Sequence, residues 1–438
     1  MFEYNMTLTD EQLEILNGAK GATMAKVMQT MVMFGEFLGA HELIPITHPN
    51  GHISTSFGIG TLKPLFEVME KLIDDEIKTV GTFTVNPRPL DYANIKCNFI
   101  ERVAFDKYLY NKQSLYEAQL AKLGLKDKKA FTCTNFLDEV GNKPKYGDIL
   151  SWAESSSVIY VNSVIGARSN RNSSMIELFG NILGLVPNYG LLLDEGRLAS
   201  TKITLRLSKI IDAQALGLVI GKLAKDEIVL ISGLDKHLGK ELNEKTKAYL
   251  KDFGASLASV SDTALYHIDN ITPEVKKYGN KILKKDYKTI IIDDEIVSSI
   301  IKEIPVLWKH PDAHPDICFI GCPHLSLYQL NEWTKKIIDG LKATEHKKVA
   351  VKTIMLASPD VIDKFENKIN YDLLINAGVK LSSICPIMFT NNPKTRRRNI
   401  ITNSNKCRVF SSSRYYLDDE IIDIIVGKVQ LWKYSKEE

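Results

Sequence analysis

Three cysteines stand where an α/β protein usually does chemistry. Cys133 lies in Phe131-Thr132-Cys133-Thr134-Asn135, at the end of a β-like run. Cys322 sits in Phe319-Ile320-Gly321-Cys322-Pro323-His324-Leu325-Ser326, again at a strand end, where Pro323 is expected to open the following helix. Cys385, in Ile384-Cys385-Pro386, terminates another apolar run. Strand ends are where such folds place ligands. None of the three belongs to a Cys-x-x-Cys pair, so spacing alone leaves metal ligand and packed thiol both open. Cys97, Cys318 and Cys407 lack comparable surroundings and read as packing residues.

Other polar clusters fall at similar places. Thr47-His48-Pro49-Asn50-Gly51-His52 follows a predicted strand. Its two histidines could bind a ligand or move protons, or hold a hydrogen-bonded loop together. Trp152-Ala153-Glu154-Ser155-Ser156-Ser157 leads into a small-residue helix that runs out at Asn162-Ser163-Val164-Ile165-Gly166-Ala167-Arg168-Ser169-Asn170-Arg171. Buried Ser, Asn and Glu must find partners or cost stability, so this density suits either a capped helix–turn or a pocket for a polar anion. In the second reading Arg168 and Arg171 clamp a carboxylate. Thr402-Asn403-Ser404-Asn405-Lys406 is a polar loop whose lysine either binds an anion or is solvated. The run Lys394-Thr395-Arg396-Arg397-Arg398 offers the same choice between anion rim and solvated loop.

The elements that must position these residues alternate. Thr9-Asp10-Glu11-Gln12 has the form of a capping box, and helical spacing then runs to about Leu38, weakened at Gly18 and Gly21. Strands are expected at 43–47, 79–85, 227–231, 288–292, 316–320 and 348–355, with amphipathic helices at 62–72, 240–253 and 325–341. Strands interleaved with helices argue for an α/β architecture with mainly parallel sheets. There is no internal repeat and no long Gly/Ser linker. Domain boundaries are therefore poorly marked, and the 438 residues read as one catalytic region with a subdivision into 1–200 and 201–438.

Composition excludes several classes. Hydrophobic residues at 44% and charged residues at 25% are ordinary globular usage, which argues against disorder. A formal net charge of +3 over so large a surface predicts no nucleic-acid or membrane partner. No apolar stretch approaches a membrane span, and the N-terminus lacks the form of a signal peptide. Six cysteines are too few for a disulfide scaffold, so a reducing cytoplasm is the expected setting.

Taken in order, these segments resemble the aconitase X family. The resemblance is carried by Thr132-Cys133-Thr134, Trp152-Ala153-Glu154-Ser155-Ser156, Asn162-Ser163, and Gly166-Ala167-Arg168-Ser169-Asn170-Arg171. It continues through Tyr189-Gly190-Leu191, Asp194-Glu195-Gly196-Arg197, His267 before Thr272-Pro273-Glu274, Gly321-Cys322-Pro323-His324-Leu325-Ser326, and Thr402-Asn403-Ser404 with Lys406. It spans roughly residues 8 to 425.

The resemblance implies an aconitase-like multi-domain α/β/α architecture without the swivelling domain. It implies an iron–sulfur hydro-lyase acting on a small hydroxy-carboxylate, with Cys133, Cys322 and Cys385 holding a 4Fe–4S or a 2Fe–2S cluster. Three thiolates leave one iron free of protein ligands, which can act as a Lewis acid on a leaving hydroxyl. Glu154, Ser155, His48 and Lys406 are the implied catalytic residues, with His52 as alternative to His48 and His324 in reserve. Arg168, Asn170, Arg171, Asn162 and Lys112 are the implied substrate contacts. A separate small subunit is expected to supply the swivelling domain and its serine base. Mevalonate 5-phosphate is the favoured substrate and cis-3-hydroxy-L-proline the alternative. A non-catalytic iron–sulfur sensor is the reading from another class.

Overall fold

The computed structural model describes residues 4–429. Its architecture is α/β, as the alternating pattern predicts. The opening helix is two helices, Asp10–Leu16 and Ala22–Phe37, because Gly18 and Gly21 take φ values of +94° and +89° between them. Thr9 and Gln12 form the expected capping box.

Four short strands build the first part: β1 (Leu43–Pro45), β2 (Gly51–Ile53), β3 (Phe83–Val85) and β4 (Leu185–Pro187). β1 pairs antiparallel with β4, and β2 pairs parallel with β3. A second layer holds β5 (Ala199–Arg206), β6 (Val229–Ser232), β7 (Tyr266–Ile268) and β8 (Leu283–Asp293), an all-parallel sheet of order β7-β6-β5-β8. The third part holds β9 (Ile317–Leu325), β10 (Thr353–Ala357), β11 (Lys380–Ser382), β12 (Ile400–Thr402) and β13 (Arg414–Tyr415). These are parallel in the order β11-β10-β9-β12-β13.

β5 was not expected. Its residues alternate buried and part-exposed, but Ala199, Thr201 and Ile203 give a weak apolar signal where a boundary was drawn. β9 is buried at all nine positions, as a strand covered on both faces must be.

The helix after Cys322 departs from expectation. β9 continues through Leu325, which pairs with Ala357, and the helix Leu327–Ala343 begins only after Ser326. Ser326 and Gln329 close a capping box there, so Pro323 belongs to the strand and does not open the helix. Among the described residues no helix is long and apolar enough to cross a membrane.

Candidate active site

The three segments carrying Cys133, Cys322 and Cys385 are set by neighbouring backbone pairings. Val85 of β3 pairs with Phe131, and the Thr132 amide donates to the Val85 carbonyl at 2.8 Å, which delivers Cys133. Three residues on, Arg88 pairs with Ile384, and the Cys385 amide donates to the Arg88 carbonyl at 2.8 Å. Cys385 then stands at the start of the short helix Pro386–Thr390. Cys322 lies in β9 directly after Gly321, whose φ is +103° and where an added Cβ would come within 2.7 Å of the Leu356 carbonyl, so a side chain is excluded there.

Each thiol lies close enough to feel the charge of the others. Burial pushes Cys133 up to about 12, Glu154 adds to the rise, and Lys406 opposes it. Burial likewise raises Cys322 well above its usual value, and raises Cys385 against the amides of Met388 and Ile387. Cys133 and Cys385 remain partly exposed while Cys322 is buried. Among the described residues no three His, Cys, Asp or Glu side chains converge tightly enough for a single metal ion. Three free thiols within electrostatic reach of one another have the donor chemistry of an iron–sulfur ligand set.

Lys406 links this space to Glu154. The helix Asn405–Val409 starts at Ser404, whose hydroxyl also donates to the Cys322 carbonyl. Lys406 Nζ forms an ion pair with Glu154 and donates to Ser156 Oγ at 2.6 Å and Ser155 Oγ at 3.3 Å. Glu154 caps the helix Ser155–Tyr160, accepting from the Ser157 amide at 2.7 Å and the Ser156 hydroxyl at 2.8 Å. Burial alone would raise this carboxyl, but the Lys406 ammonium outweighs it and holds Glu154 at about 2. Lys406 is raised in turn, with Glu154 and the Cys322 and Cys133 thiols offsetting its desolvation.

His52, rather than His48, stands beside this pair. Burial lowers His52 to about 4, with Glu154 pulling it up and Lys406 pushing it down. Its Nδ1 lies 2.9 Å from Thr84 Oγ1, while Nε2 is buried beside the Asn86 side chain without a well-formed hydrogen bond. His48 is committed to the loop: Nε2 lies 2.8 Å from Asn142 Oδ1, and Nδ1 lies 3.9 Å from Asp148. Neither ring pairs with a site residue through Trp152, although both meet its edge.

The expected substrate contacts lie in a different network. Asn162 donates to the Ser169 and Ala264 carbonyls at 2.9 and 3.0 Å and accepts from the Ser169 amide at 3.0 Å. Asn170 is spent on the Tyr189 carbonyl and the Leu191 amide. Arg168 donates to the Leu192 carbonyl at 2.6 Å and pairs with Asp194, and Arg171 pairs with Asp262 at 3.3 Å. At the centre of this network is the buried pair Arg197–Glu274 at 2.7 Å, with His267 Nδ1 3.7 Å from Glu274. None of these bonds reaches Lys406, Glu154 or the three thiols. Lys112 is exposed, at the start of the helix Gln113–Leu123. In the basic run, Arg398 pairs with Glu101 and stands over Phe389, while Arg396 and Arg397 are exposed.

One contributor gave no signal in sequence. Gln214, second residue of the helix Ala213–Ala224, donates to the Cys322 carbonyl at 3.1 Å and accepts from the Asn405 amide at 3.1 Å. The middle sheet's layer thus reaches both Cys322 and the Lys406 helix through one amide.

Comparison with known proteins gives a family and a fold. Models of the aconitase X first, second and third domains match residues 5–195, 199–302 and 315–417. The phosphomevalonate dehydratase large subunit of Methanosarcina mazei is 30% identical over 409 residues, 92% of this chain and 91% of that protein. Its counterpart from Methanocaldococcus jannaschii is 30% identical over 93% of this chain and 96% of its own length. A cis-3-hydroxy-L-proline dehydratase from Hypocrea jecorina is 25% identical over 79% of this chain and 55% of that protein. The crystal structure of holo-form Thermococcus kodakaraensis aconitase X superposes with a TM-score of 0.77 at 27% identity, covering 96% of this chain and all of that one. With the ordered motifs, the three-part fold and these matches in agreement, the chain belongs to the aconitase X family.

Proposed function

We propose that this chain is the large subunit of a dehydratase that removes water from mevalonate 5-phosphate, a hydro-lyase reaction. The observation that carries the reaction class is the convergence of Cys133, Cys322 and Cys385 on the Lys406–Glu154 pair. The substrate follows from the named large subunits, which align over nine-tenths of both chains.

The three cysteines would hold an iron–sulfur cluster, 4Fe–4S or 2Fe–2S. Bound there, it supplies a Lewis-acidic iron to the substrate's hydroxyl. The chain's own groups have distinct tasks. Glu154, ionised at any physiological pH, is too weak a base to take a proton from carbon and keeps Lys406 charged and in place. Lys406, whose three donors go to Glu154, Ser155 and Ser156, contributes positive charge, and the partly exposed Ser155 hydroxyl that it holds can donate to an anionic substrate. His52 presents a neutral ring beside Glu154 and Asn86 and replaces His48 as the candidate for proton transfer. A phosphate needs further cations, for which exposed Lys112, Arg396 and Arg397 are available.

The relatives' designation as large subunits supports a small-subunit partner here. That partner would bring the swivelling domain with its serine base, and the pair would work in the cytoplasm. The second reading, cis-3-hydroxy-L-proline dehydration, rests on the Hypocrea jecorina relative.

The test is an anaerobic assay of this chain with its small subunit on both substrates. Turnover of mevalonate 5-phosphate is expected. Turnover of the hydroxyproline alone selects the second reading. Iron binding without turnover of either selects a sensor.

A further inference from the structure

His324 touches the segments of the other two cysteines, and does so through every polar atom it has available. Its ring is fully buried, two residues beyond Cys322 on β9. Nε2 lies 3.1 Å from the carbonyl of Ile384, the residue before Cys385. Nδ1 lies 3.3 Å from the hydroxyl of Thr132, the residue before Cys133. The His324 backbone N–H donates to Cys133 Sγ at 3.4 Å.

A carbonyl only accepts, so Nε2 carries the proton and Nδ1 is an acceptor. The Thr132 hydroxyl therefore donates to Nδ1, and it accepts in turn from the Thr134 amide at 3.0 Å. Both ring nitrogens are thereby occupied by protein, which removes His324 from proton transfer to a substrate. One rigid ring instead spans two loops from a third. Arg88 also meets both segments, through its carbonyl to the Cys385 amide and its guanidinium over the Phe131 ring, whereas His324 joins both to the strand of Cys322, and a rigid spacer is what a multi-thiolate ligand set requires.

We propose that His324 is the positioning residue that fixes the Cys133 and Cys385 segments relative to Cys322, an inference that rests on reading the three thiols as cluster ligands. Removing the ring leaves the Cys133 and Cys385 segments held by their pairings with Val85 and Arg88 but loosens their tie to the strand of Cys322, and the spacing between thiols becomes less fixed.

The test begins with the full chain freed of iron. In His324→Leu, iodoacetamide alkylation of Cys133 and Cys385 is expected to accelerate about fivefold, the change in local opening that loss of one ordinary hydrogen bond brings. Cys318, fully buried on the same strand, serves as internal control and stays slow. His324→Gln keeps a donor near Nε2 and should restrain Cys385 but not Cys133. In anaerobically loaded chain, His324→Leu should release iron to a chelator several-fold faster than wild type. Alkylation and release rates equal to wild type overturn the proposal. If Cys318 also reacts quickly, the variant has unfolded, and Thr132→Val then decides: faster alkylation at Cys133 alone is the expected result, unchanged rates the contrary one. A wild-type chain that takes up no iron overturns the cluster reading. It is told apart from failure of the positioning role by the alkylation rates, which need no iron.

Discussion

Lys406 donates from Nζ to the Ser156 hydroxyl at 2.6 Å while pairing with Glu154, so one buried ammonium closes the start of the Ser155–Tyr160 helix. Both partners are under a tenth exposed. Removing one charge strands the other away from water, which costs more than the pair's net contribution.

Lys406→Met is therefore expected to destabilise the chain by about 3–5 kcal/mol, read as a shift in urea midpoint at constant slope. Adding Glu154→Gln to Lys406→Met should recover much of that loss. A single variant as stable as wild type contradicts the buried-pair reading.

Arg197 and Glu274 make a second buried pair, and the geometry assigns Arg168 and Arg171 to the same scaffold. Arg197→Met should cost about 3–5 kcal/mol for the same reason. Arg171→Ala breaks a pair whose acid is largely exposed, so it should cost less than about 1 kcal/mol. It should also leave the KM for substrate near wild type. A large rise in KM would restore Arg171 as a substrate clamp.

Buried His52 and His267 are both lowered by desolvation, from an ordinary 6.5 to about 4. As pH falls below 6.5 the unfolded chain takes up these protons and the folded chain does not, until about pH 4. Each ring's contribution is thus fully present above pH 6.5 and should fall by about 1.4 kcal/mol per pH unit between those limits. Burial raises Glu177 and Asp418 to about 8 and about 7, which stabilises the folded chain as pH falls through the same window, so the His267 share is read as the difference between wild type and His267→Gln in denaturation midpoints from pH 7 to 4.5. A difference between the two that does not change with pH contradicts it.

Gln214 holds the Cys322 carbonyl and the Asn405 amide with one side chain. Gln214→Leu should leave two buried polar groups without that partner and cost about 1–3 kcal/mol. Iron retention should weaken along with stability. Unchanged values for both contradict the bridging role.

Two of the five strands of the third sheet were legible because they are continuous apolar runs. The 316–320 and 348–355 predictions fall on β9 and β10, displaced by a few residues. β5 was missed because burial there depends on Ala and Thr, whose patterning is faint. The cysteines could be singled out by type and strand-end position, and Cys407, buried against Ser413, set aside for lacking it, but nothing local shows that Cys133, Cys322 and Cys385 lie near one another. Their relation is made by β3 and His324, residues far away in sequence. Arg168 and Arg171 could not be read from sequence for a related reason. A dense Arg/Asn/Ser segment looks the same whether its hydrogen bonds go to a ligand or to Asp194, Asp262 and Tyr189. His48 and His52 are four residues apart, and only the fold turns one toward Glu154 and the other toward Asn142.

The most direct test is iron and acid-labile sulfide analysis of the chain purified without oxygen, alone and with its small subunit, beside Cys133→Ser, Cys322→Ser and Cys385→Ser. The expected result is a brown wild-type protein with iron and sulfide in comparable amounts, and loss of both in all three variants, with turnover of mevalonate 5-phosphate confined to the wild-type complex. Wild-type iron and sulfide in all three variants, or a colourless wild type after anaerobic reconstitution, would contradict the assignment of these cysteines.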